Sequence, residues 1–371
     1  MPVRNQLAQV RAARGVSASK LARQAGISRQ TIYAIEAHSY APNTAVALRL
    51  ARILEVRVEE LFHLEAEPVP ESAACDADLL PSSVPLRQGQ PLQLARVGRR
   101  TMGVYTPPLS LGLPPADGLV LRSKDAGRVS VRMLTQPEDL DKRLLIGGCD
   151  PGISVLARHL LQAAGFEVVT AGCSSLQALR WLKEKKIHIA GSHLTAEAAG
   201  VSNLGAMRKF FPRGGCTVVG FADWEEGLLA APGNPKRIRA VDDLARKDVT
   251  IVNREEGAGS RFLLDRSLQG LGVAPAKVRG YGDIALGHIP AAWHVYSGKA
   301  DCCIATRAVA QVFGLEFLPL VSEQFDLVIP KHHLDMPAIQ ALLDTLNRAA
   351  LQRQLRALGG YDTSRTGQVV A

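Results

Sequence analysis

The sequence lacks the features that would place a protein in or across a membrane. Its first residues, MPVRNQLAQVRAARG, contain no apolar run ahead of a cleavage site, and no uncharged apolar stretch of about 18 residues follows. We therefore expect a cytoplasmic protein with no membrane partner.

Cysteine is scarce, and its spacing forms no ligand pattern. The sequence has no CxxC pair and no Cys/His spacing typical of a zinc site, and Cys302 and Cys303 are adjacent, with side chains on opposite faces of any strand. We expect reduced thiols, no structural zinc and no cofactor. The six cysteines are Cys75, Cys149, Cys173, Cys216, Cys302 and Cys303.

What the sequence does have is length, apolar content and positive charge. Its 371 residues are 47% hydrophobic, which is enough for two or three domains with buried cores. The net charge of +9 favours nucleic acid or anionic ligands as partners, although a solvated basic surface would give the same balance.

The N-terminal segment predicts five short helices. Within it, ASKLARQAGISRQTIYAIEA (18–37) has a small residue, Ala22, where two helices would cross, and a glycine, Gly26, where a left-handed turn would follow. Ile32 and Ile35 anchor the next helix to a core. The side chains left outward can contact base edges or phosphates, and Ser28 can also cap the helix. The predicted DNA-binding residues are Ser28, Arg29, Gln30, Thr31 and Tyr33.

This segment resembles the XRE-type, phage-repressor-like helix-turn-helix domain over residues 3–64, and we assign it to residues 1–65. The resemblance implies major-groove binding to a double-stranded DNA operator, usually as a homodimer on a palindromic site. The alternative is an ordinary helical bundle with a polar face.

The next stretch predicts a linker and then a small β-rich segment. Residues 66–90 are rich in acidic residues and proline and predict a flexible linker. Residues 91–140 contain possible strands around Leu92–Leu94 and Val129–Met133, split by TPPLSLGLPPADG.

After Asp141 strand-like and helix-like runs alternate. The pattern predicts an α/β domain with mostly parallel sheets covered by helices, in which ligands bind at the carboxyl ends of strands. Four such ends carry small or polar residues: GGCDPG (147–152), AGCSS (171–175), GSHL (191–194) and NREEGAGSR (253–261). If these ends converge, hydroxyl groups and free backbone N–H groups surround one small site.

The segment 141–362 resembles the type II periplasmic-binding-protein fold, in particular the molybdate-binding-protein-like domain. The motifs that carry the resemblance are GGCDPGISVLARHL, IAGSHL, NREEGAGSRFLLD, GHIPAAWHVYSGKADCCIA and LVSEQFDLVIP. It implies two lobes that close on a ligand, with hinges near TVVGFADWEEGLL and near residues 314–322; residues 363–371 are expected to be a tail.

Binding is favoured over catalysis. NREEGAGSR lacks the lysine of a phosphate-binding Walker loop, and GAGSRF lacks the third glycine of a dinucleotide fingerprint. Cys149 with His193 and Asp150 could form a thiol-enzyme constellation, but no nucleophile signature surrounds Cys149. Cys149, His193 and His288 could each equally be buried residues with structural partners.

The basic side chains within NREEGAGSR (253–261) allow two interpretations. Arg254 and Arg261 could supply positive charge to an anion, or they could pair with neighbouring carboxylates, which we consider the stronger option for Arg254. Asp150 would repel an anion unless it is neutralised or turned outward. The predicted ligand-binding residues are Cys149, Asp150, Ser174, Ser175, Ser192, His193, Asn253, Gly259, Ser260, Arg261 and His288.

The sequence thus predicts a multidomain, non-enzymatic transcriptional regulator: a helical DNA-binding domain joined to a two-lobed α/β domain that senses a small anion, with molybdate or tungstate as the favoured ligand. Two alternatives stay open. One is an enzyme or carrier of molybdenum-cofactor metabolism with an attached DNA-binding module, and the other is a regulator that senses a small organic anion.

Overall fold

The computed structural model describes residues 3–64, 74–81, 86–105, 115–124, 127–193, 203–212 and 214–371. The chain divides into two compact units, Met1–Pro70 and Glu71–Ala371. Much of the predicted linker and most of TPPLSLGLPPADG lie outside the described residues. In the part of the chain that is described, no helix combines the length and apolar character needed to cross a bilayer.

The first unit contains the predicted helices around one apolar core. Its helices are α1 (Leu7–Ala13), α2 (Ala18–Ala25), α3 (Arg29–Glu36), α4 (Thr44–Leu54) and α5 (Val58–Leu61). Side-chain caps fix where three of them begin, because Ser17, Ser28 and Asn43 accept hydrogen bonds from the first-turn amides of α2, α3 and α4. As predicted, Gly26 ends α2 in the left-handed conformation, with φ of +67°.

This unit also contains a two-stranded ribbon that the sequence did not predict. Strand β1 (Val3–Asn5) pairs antiparallel with β2 (Phe62–Leu64). Phe62 follows directly after the last residue of α5 and belongs to this strand.

The second unit begins with a closed five-stranded barrel, in the order β3-β5-β4-β6-β7. The predicted strand around Val129–Met133 is present as β7, and its alternate side chains Val129, Val131 and Met133 are buried. The strands are β3 (Ala74–Leu79), β4 (Pro91–Val97), β5 (Arg100–Val104), β6 (Gly118–Ser123) and β7 (Arg128–Met133).

Strand β3 lies inside the stretch 66–90, so the linker prediction is wrong for residues 74–79. The acidic composition suggested a linker, but the acidic residues of ACDADL alternate with apolar residues that face inward, which is the pattern of a strand. Asp76 and Asp78 lie on the outer side of the barrel, where they pair with Lys124 at 2.5 Å and Arg100 at 2.8 Å.

The barrel shares a core with the domain that follows. Ala95, Val97 and Met102 of the barrel pack in the same buried cluster as Val169 and Leu179. A buried ion pair between Arg143 and Asp117, at 2.9 Å, joins the two parts as well.

The remaining chain forms two lobes on one continuous sheet, in the order β13-β12-β14-β11-β15-β10-β8-β9, with β16 paired to β11. The strands are β8 (Arg143–Gly148), β9 (Glu167–Gly172), β10 (Ile189–Ser192), β11 (Cys216–Ala230), β12 (Ile251–Arg254), β13 (Ile284–Ala285), β14 (Cys302–Thr306), β15 (Glu316–Pro330) and β16 (Tyr361–Asp362). The helices are α6 (Ile153–Ala164), α7 (Ser175–Lys183), α8 (Asn203–Phe210), α9 (Gly259–Gly270), α10 (His288–Tyr296), α11 (Arg307–Phe313), α12 (Pro337–Leu346) and α13 (Ala349–Ala357).

Strands β11 and β15 pass through both lobes. They pair antiparallel over their length, whereas the outer pairs β8-β9 and β12-β14 are parallel. One half of β11, around Phe221, packs in the core of the first lobe, and the other half, around Leu228, packs in the core of the second. Both predicted hinge segments overlap these two strands, whose middle parts connect the lobes.

The predicted tail is part of the fold. The Gly220 amide donates to the Gln368 carbonyl and the Gly367 amide donates to the Gly220 carbonyl, both at 2.9 Å. Thr363 and Thr366 are buried. Residues 363–371 therefore pack along β11, which the sequence did not indicate because their composition is polar.

Candidate functional site

Helix α3 presents a polar face opposite its buried one. Ile32 and Ile35 are fully buried, which fixes the helix on the core of the first unit. Ser28 caps it, since its hydroxyl accepts the Thr31 amide at 3.0 Å.

The predicted DNA-binding side chains lie on this outward face. Ser28, Arg29, Gln30 and Tyr33 are exposed, and Thr31 is half-buried. Arg29 donates to the Tyr33 hydroxyl at 2.9 Å and lies over its ring at 5.2 Å from the ring centre. The guanidinium of Arg29 and the side-chain amide of Gln30, next to each other on an exposed helix face, are groups that can contact bases and phosphates.

A second cluster of polar side chains, buried except for one half-buried cysteine, lies where the two lobes meet. The first lobe supplies Cys149 and His193, which directly follow β8 and β10, and the second supplies His288 at the start of α10. The crossing strands β11 and β15 supply Glu226 and Glu323. We call these five residues the junction cluster.

One line of contacts runs through His193. Its Nδ1 lies 2.5 Å from Glu323 Oε2, and its Nε2 lies 3.2 Å from Cys149 Sγ. The side chains of His193 and Glu323 have 0% and 1% exposure, so neither exchanges this contact for water. The order thiol, imidazole, carboxylate is that of a nucleophile with its base and orienting group, and equally that of two metal ligands with a carboxylate that orients the ring.

The other half of the junction cluster has polar atoms without partners. Ser260 donates a short hydrogen bond to Glu226 Oε1, and His288 Nδ1 lies 3.8 Å from the same oxygen. Among the described residues, both ring nitrogens of His288 and the second carboxylate oxygen of Glu226 have no hydrogen-bond partner. Buried polar atoms left this way cost free energy unless something binds them.

Aromatic rings enclose the two histidines. Trp224 packs edge-on to His193 and His288, with ring centres 5.0 and 5.3 Å apart. Phe325 stacks on His193 at 6.0 Å. These rings lower the local dielectric constant and strengthen each electrostatic contact inside.

The glycine loop 255–259 of the second lobe lies close against the first lobe. A methyl group on Gly259 would lie 2.4 Å from His193 Cε1, and one on Gly257 would lie 3.1 Å from Ser174 Oγ. Gly257 also has a φ of +85°. Both glycines therefore allow the second lobe to contact the first across the junction cluster.

A third carboxyl group lies beside the cluster. Asp150 accepts hydrogen bonds from the Tyr361 hydroxyl at 2.6 Å and from the Gly152 amide at 2.7 Å. Burial raises the pKa of Asp150 to about 6, in spite of these two donors.

Burial and neighbouring charge set the protonation of the cluster. Burial, and then Glu323, raise the pKa of Glu226 to about 7. Burial, and then Arg254, lower the pKa of His288 well below its ordinary value. Burial opposes charge on His193, but the Cys149 sulfur and Glu323 together raise its pKa well above the ordinary value.

Arg254 is a buried cation close to these groups, and it is paired with a carboxylate. It makes two hydrogen bonds to Glu255, at 2.9 and 3.0 Å, and its side chain is 1% exposed. The prediction that Arg254 pairs with a neighbouring carboxylate is confirmed, and its charge is balanced within the second lobe.

The structure brings some of the predicted ligand-binding residues together and separates others. Cys149, His193, Gly259, Ser260 and His288 meet at the junction, with Asp150 and the buried Ser192 beside it. Ser174 caps α7, and Ser175, the first residue of that helix, accepts the His193 amide at 3.1 Å. These two serines therefore help to position His193 and do not form part of the cluster.

Asn253 and Arg261 lie outside the junction cluster. Asn253 donates to the Tyr281 carbonyl at 3.1 Å, and Arg261 stacks over the Tyr281 ring at 4.4 Å. Proximity to the glycine loop in the sequence did not place them at the site, because their side chains turn toward the outer loop of the second lobe.

Sequence reasoning missed Glu226, Glu323 and Trp224. Both carboxylates lie within apolar strand runs, DWEEGLL and LVSEQFDLVIP, and a charged residue inside such a run is a signal of a buried functional group. The signal is present in the sequence, but only the pairing of β11 with β15 shows that both face His193.

Comparisons with known proteins agree with this architecture. Residues 157–347 match the family described as PBP superfamily domain, and residues 7–61 match a helix-turn-helix family. The chain is 34% identical over 227 residues to the uncharacterized protein YvgK of Bacillus subtilis, covering 61% of this chain and 73% of that protein.

Two further similarities concern the separate parts of the chain. An uncharacterized HTH-type transcriptional regulator of Bacillus subtilis, YgzD, is 35% identical over 65 residues, which are 18% of this chain and 98% of that protein. Among solved structures, the sulfate-binding protein SubI of Mycobacterium tuberculosis has a TM-score of 0.44 at 16% identity, covering 59% of this chain and 86% of that one.

The predicted fold class is confirmed, with a helical helix-turn-helix domain followed by an α/β domain of the periplasmic-binding-protein kind. The PBP superfamily domain match covers about half of the chain, and YvgK of Bacillus subtilis is 34% identical over 73% of its length. The chain therefore belongs to the PBP superfamily domain family and carries a helix-turn-helix domain at its N-terminal side.

Proposed function

We propose that this protein is a one-component transcriptional regulator in which a ligand at the junction cluster changes the affinity of the helix-turn-helix domain for its DNA operator. The observation that carries the proposal is the junction cluster itself. Its buried polar atoms come from both lobes, and those of His288 and Glu226 lack partners among the described residues.

The two lobes give a ligand a physical means of acting. A ligand that contacts His193 on one lobe and His288 on the other binds the closed arrangement more tightly than an open one. It therefore shifts the population toward the closed state. If operator affinity differs between the two states, ligand and operator are coupled, and each changes the affinity of the other by the same factor.

For the DNA-binding half, we propose that Ser28, Arg29, Gln30, Thr31 and Tyr33 contact the operator. The exposed face of α3 and the match to a helix-turn-helix family support this role. The proposal includes a homodimer on a palindromic operator, acting in the cytoplasm, because such domains usually bind two half-sites one helical turn apart.

For the ligand, the sequence-based proposal is molybdate, tungstate or a related small anion. Helix α9 begins at Gly259 without a side-chain cap, so the amides of Gly259 and Ser260 are donors that an oxyanion can use. Glu226, Glu323 and Asp150 oppose it, because an anion beside ionised carboxylates is repelled. Such an anion requires Glu226 and Asp150 to be protonated.

The first experiment is a thermal-unfolding scan of the full chain with and without molybdate, tungstate, sulfate and phosphate, each at about 1 mM. A native-state ligand stabilises by roughly 4 kcal/mol at a thousandfold excess over its dissociation constant. An upward shift with molybdate and tungstate but not with sulfate would support the oxyanion proposal. No shift with any of the four would reject it.

Operator binding is the second experiment. Operator fragments are selected from random DNA with the purified chain, and their affinity is measured with each ligand present and absent. The variant Arg29→Ala with Gln30→Ala should lose operator binding. The matched control is Arg353→Ala with Gln354→Ala, an exposed arginine–glutamine pair on α13, which removes the same charge from the other unit.

A second candidate function is a cysteine-dependent enzyme, because Cys149, His193 and Glu323 form the order thiol, imidazole, carboxylate. Asp150, which the sequence had suggested as the third member, instead bonds to Tyr361 and Gly152. Turnover of a molybdopterin precursor that Cys149→Ser abolishes would favour this candidate over the regulator.

A further inference from the structure

The junction cluster has the donor atoms of a transition-metal site. The sulfur of Cys149, one ring nitrogen of His193 and one ring nitrogen of His288 all lie within 4.8 Å of one another. The same limit holds for the donor atoms of His193, Glu226 and Glu323. Ligand atoms around a tetrahedral zinc ion, each about 2.0–2.3 Å from the metal, are about 3.3–3.8 Å apart, so these donors can converge on one ion after small side-chain rotations.

His193 is oriented as a metal ligand is. Its Nδ1 faces Glu323 at 2.5 Å, so this nitrogen carries the proton and the carboxylate accepts it. The other nitrogen, Nε2, is directed at Cys149 Sγ, 3.2 Å away. Metal-binding histidines almost always donate their second ring N–H to a carboxylate, carbonyl or water, because this fixes the ring and makes the coordinating nitrogen more basic.

His288 supplies an independent observation. Its side chain has 0% exposure, and neither ring nitrogen has a hydrogen-bond partner among the described residues. Glu226 Oε1 is 3.8 Å from Nδ1, beyond hydrogen-bonding distance, and the other oxygen of Glu226 is also without a partner in the described part of the chain. A bound cation would satisfy a nitrogen of His288 and the free oxygen of Glu226 together.

We propose that the junction cluster binds one divalent transition-metal ion of the zinc type through Cys149 Sγ, His193 Nε2, a ring nitrogen of His288 and the Glu226 carboxylate. Glu323 is the positioning residue that holds the His193 ring. The inference rests on the proposed regulator, and it puts a divalent cation in place of the oxyanion as the ligand that the lobe junction senses.

The donor set decides the class of metal. One thiolate, two imidazoles and one carboxylate suit Zn²⁺ and Co²⁺, whereas Mg²⁺ and Ca²⁺ prefer oxygen alone. The thiolate of Cys149 and the carboxylate of Glu226 balance the two charges of the ion. Arg254 does not disturb this balance, because Glu255 pairs with it at 2.9 Å.

Binding also balances in protons. Cys149 binds as a thiolate and Glu226 as a carboxylate, and each releases to solvent any proton it holds. His193 keeps the proton on Nδ1 and releases to solvent any proton on Nε2, so both imidazoles bind as neutral rings. No oxidation or reduction is involved.

The site would hold the lobes together. Cys149 and His193 belong to the first lobe and His288 to the second, so coordination by all three requires the closed arrangement. The ligands come from separate elements, which explains why no Cys/His spacing in the sequence indicated zinc.

The test is a titration of the metal-free, chemically reduced full chain with Co²⁺, followed by absorption spectroscopy. We expect one equivalent to bind, with the intense visible bands of tetrahedral Co²⁺ and a near-ultraviolet thiolate-to-cobalt band. Zn²⁺ should displace the Co²⁺ and remove both signals. A folded protein that gives neither signal would overturn the proposal.

Variants assign the ligands. Cys149→Ser should remove the near-ultraviolet band and weaken Co²⁺ binding about tenfold or more. The matched control Cys173→Ser, a cysteine at the next strand end that lies outside the cluster, should leave both unchanged. Equal spectra for Cys149→Ser and the unsubstituted chain would also overturn the assignment.

The positioning role of Glu323 has its own readout. Glu323→Gln should keep the thiolate-to-cobalt band, because Cys149 still binds, while it weakens affinity by about 10–100-fold. His288→Gln should weaken affinity and change the visible bands. Circular dichroism establishes that each variant is folded before its titration is interpreted.

Failure of the metal site and failure of the proposed function give different results. If Co²⁺ binds with the expected spectrum but Zn²⁺ leaves operator affinity unchanged, the metal site stands and its role in sensing falls. If operator affinity responds to molybdate while Co²⁺ gives no spectrum, the regulator stands and the metal inference falls.

Discussion

Gly259, on the second lobe, lies against His193 of the first lobe. A Cβ there would lie 2.4 Å from His193 Cε1 and 2.9 Å from the His193 carbonyl oxygen. We predict that Gly259→Ala lowers the free energy of unfolding by about 1–3 kcal/mol, as expected for overpacking, and abolishes the response to the junction ligand. Urea unfolding and the ligand-induced melting shift measure the two effects.

Gly270 provides the control at the other end of the same helix, α9. A Cβ at Gly270 has open space within 4 Å, so Gly270→Ala should be neutral or stabilise by up to about 1 kcal/mol. Equal stability of the two variants would mean that the lobes do not approach each other at Gly259 in solution.

His188 gives the protein a pH-dependent stability that does not involve the junction cluster. Its Nδ1 accepts the Leu145 amide at 2.9 Å, and burial, and then His333, lower the pKa of His188 from 6.5 to about 4. The unfolded chain therefore binds a proton that the folded chain does not, so stability is fully present above about pH 6.5 and is lost as the pH falls toward 4. The loss is about 3 kcal/mol at most.

His188→Asn tests this prediction, because its side-chain oxygen can accept the Leu145 amide but cannot be protonated. The difference in unfolding free energy between the variant and the unsubstituted chain, measured from pH 7.5 to 4, should change in favour of the variant as the pH falls. A difference that stays constant over this range would contradict the prediction.

At the scale of single elements, the cap of α3 couples local stability to DNA binding. Ser28 accepts the Thr31 amide at 3.0 Å and its hydroxyl lies 2.8 Å from that of Thr31. We predict that Ser28→Ala costs about 1 kcal/mol of stability and also weakens operator binding, because the first turn of α3 carries Arg29 and Gln30.

Ser17 caps α2 in the same way, accepting the Lys20 amide at 3.2 Å. Ser17→Ala should also cost about 1 kcal/mol of stability, which the melting temperature reports, but it should reduce operator affinity less than Ser28→Ala does. If both variants lose stability and affinity in equal measure, the effect of Ser28 on binding is only a consequence of stability, and its proposed contact with DNA is not needed.

At the scale of the whole molecule, the two units should separate DNA binding from ligand binding. Arg29→Ala with Gln30→Ala should lose operator binding and keep the full ligand-induced shift in melting temperature. His288→Gln should do the opposite, because its ring lies in the junction cluster of the second unit. Melting curves and operator titrations on the same preparations measure both; loss of both functions in either variant would contradict the division.

The barrel and the C-terminal residues show where composition was a poor guide to the whole molecule. Residues 74–79 are acidic and were predicted to be part of a linker, yet their alternation places Ala77 inside a barrel. Residues 363–371 were predicted to be a tail, yet their backbone pairs with β11. In both segments the backbone hydrogen bonds come from strands distant in the sequence, which local composition does not contain.

The sequence by itself determined the features that depend on near neighbours along the chain. Helical spacing, the cap at Ser28 and the glycine at 26 specify the helix-turn-helix, because a helix is built from contacts three or four residues apart. The strand ends that carry Cys149, His193 and the glycine loop were also visible, since each follows an apolar run.

Only the tertiary structure decided which of these residues form one site. Glu226 and Glu323 face His193 because β11 and β15 pair antiparallel and cross between the lobes, and that register is not encoded in either strand alone. Arg261 turned away for an equally non-local reason, the ring of Tyr281. A site assembled from several elements is defined by how those elements pack, so the sequence supplied its donor atoms and the fold determined how they are arranged.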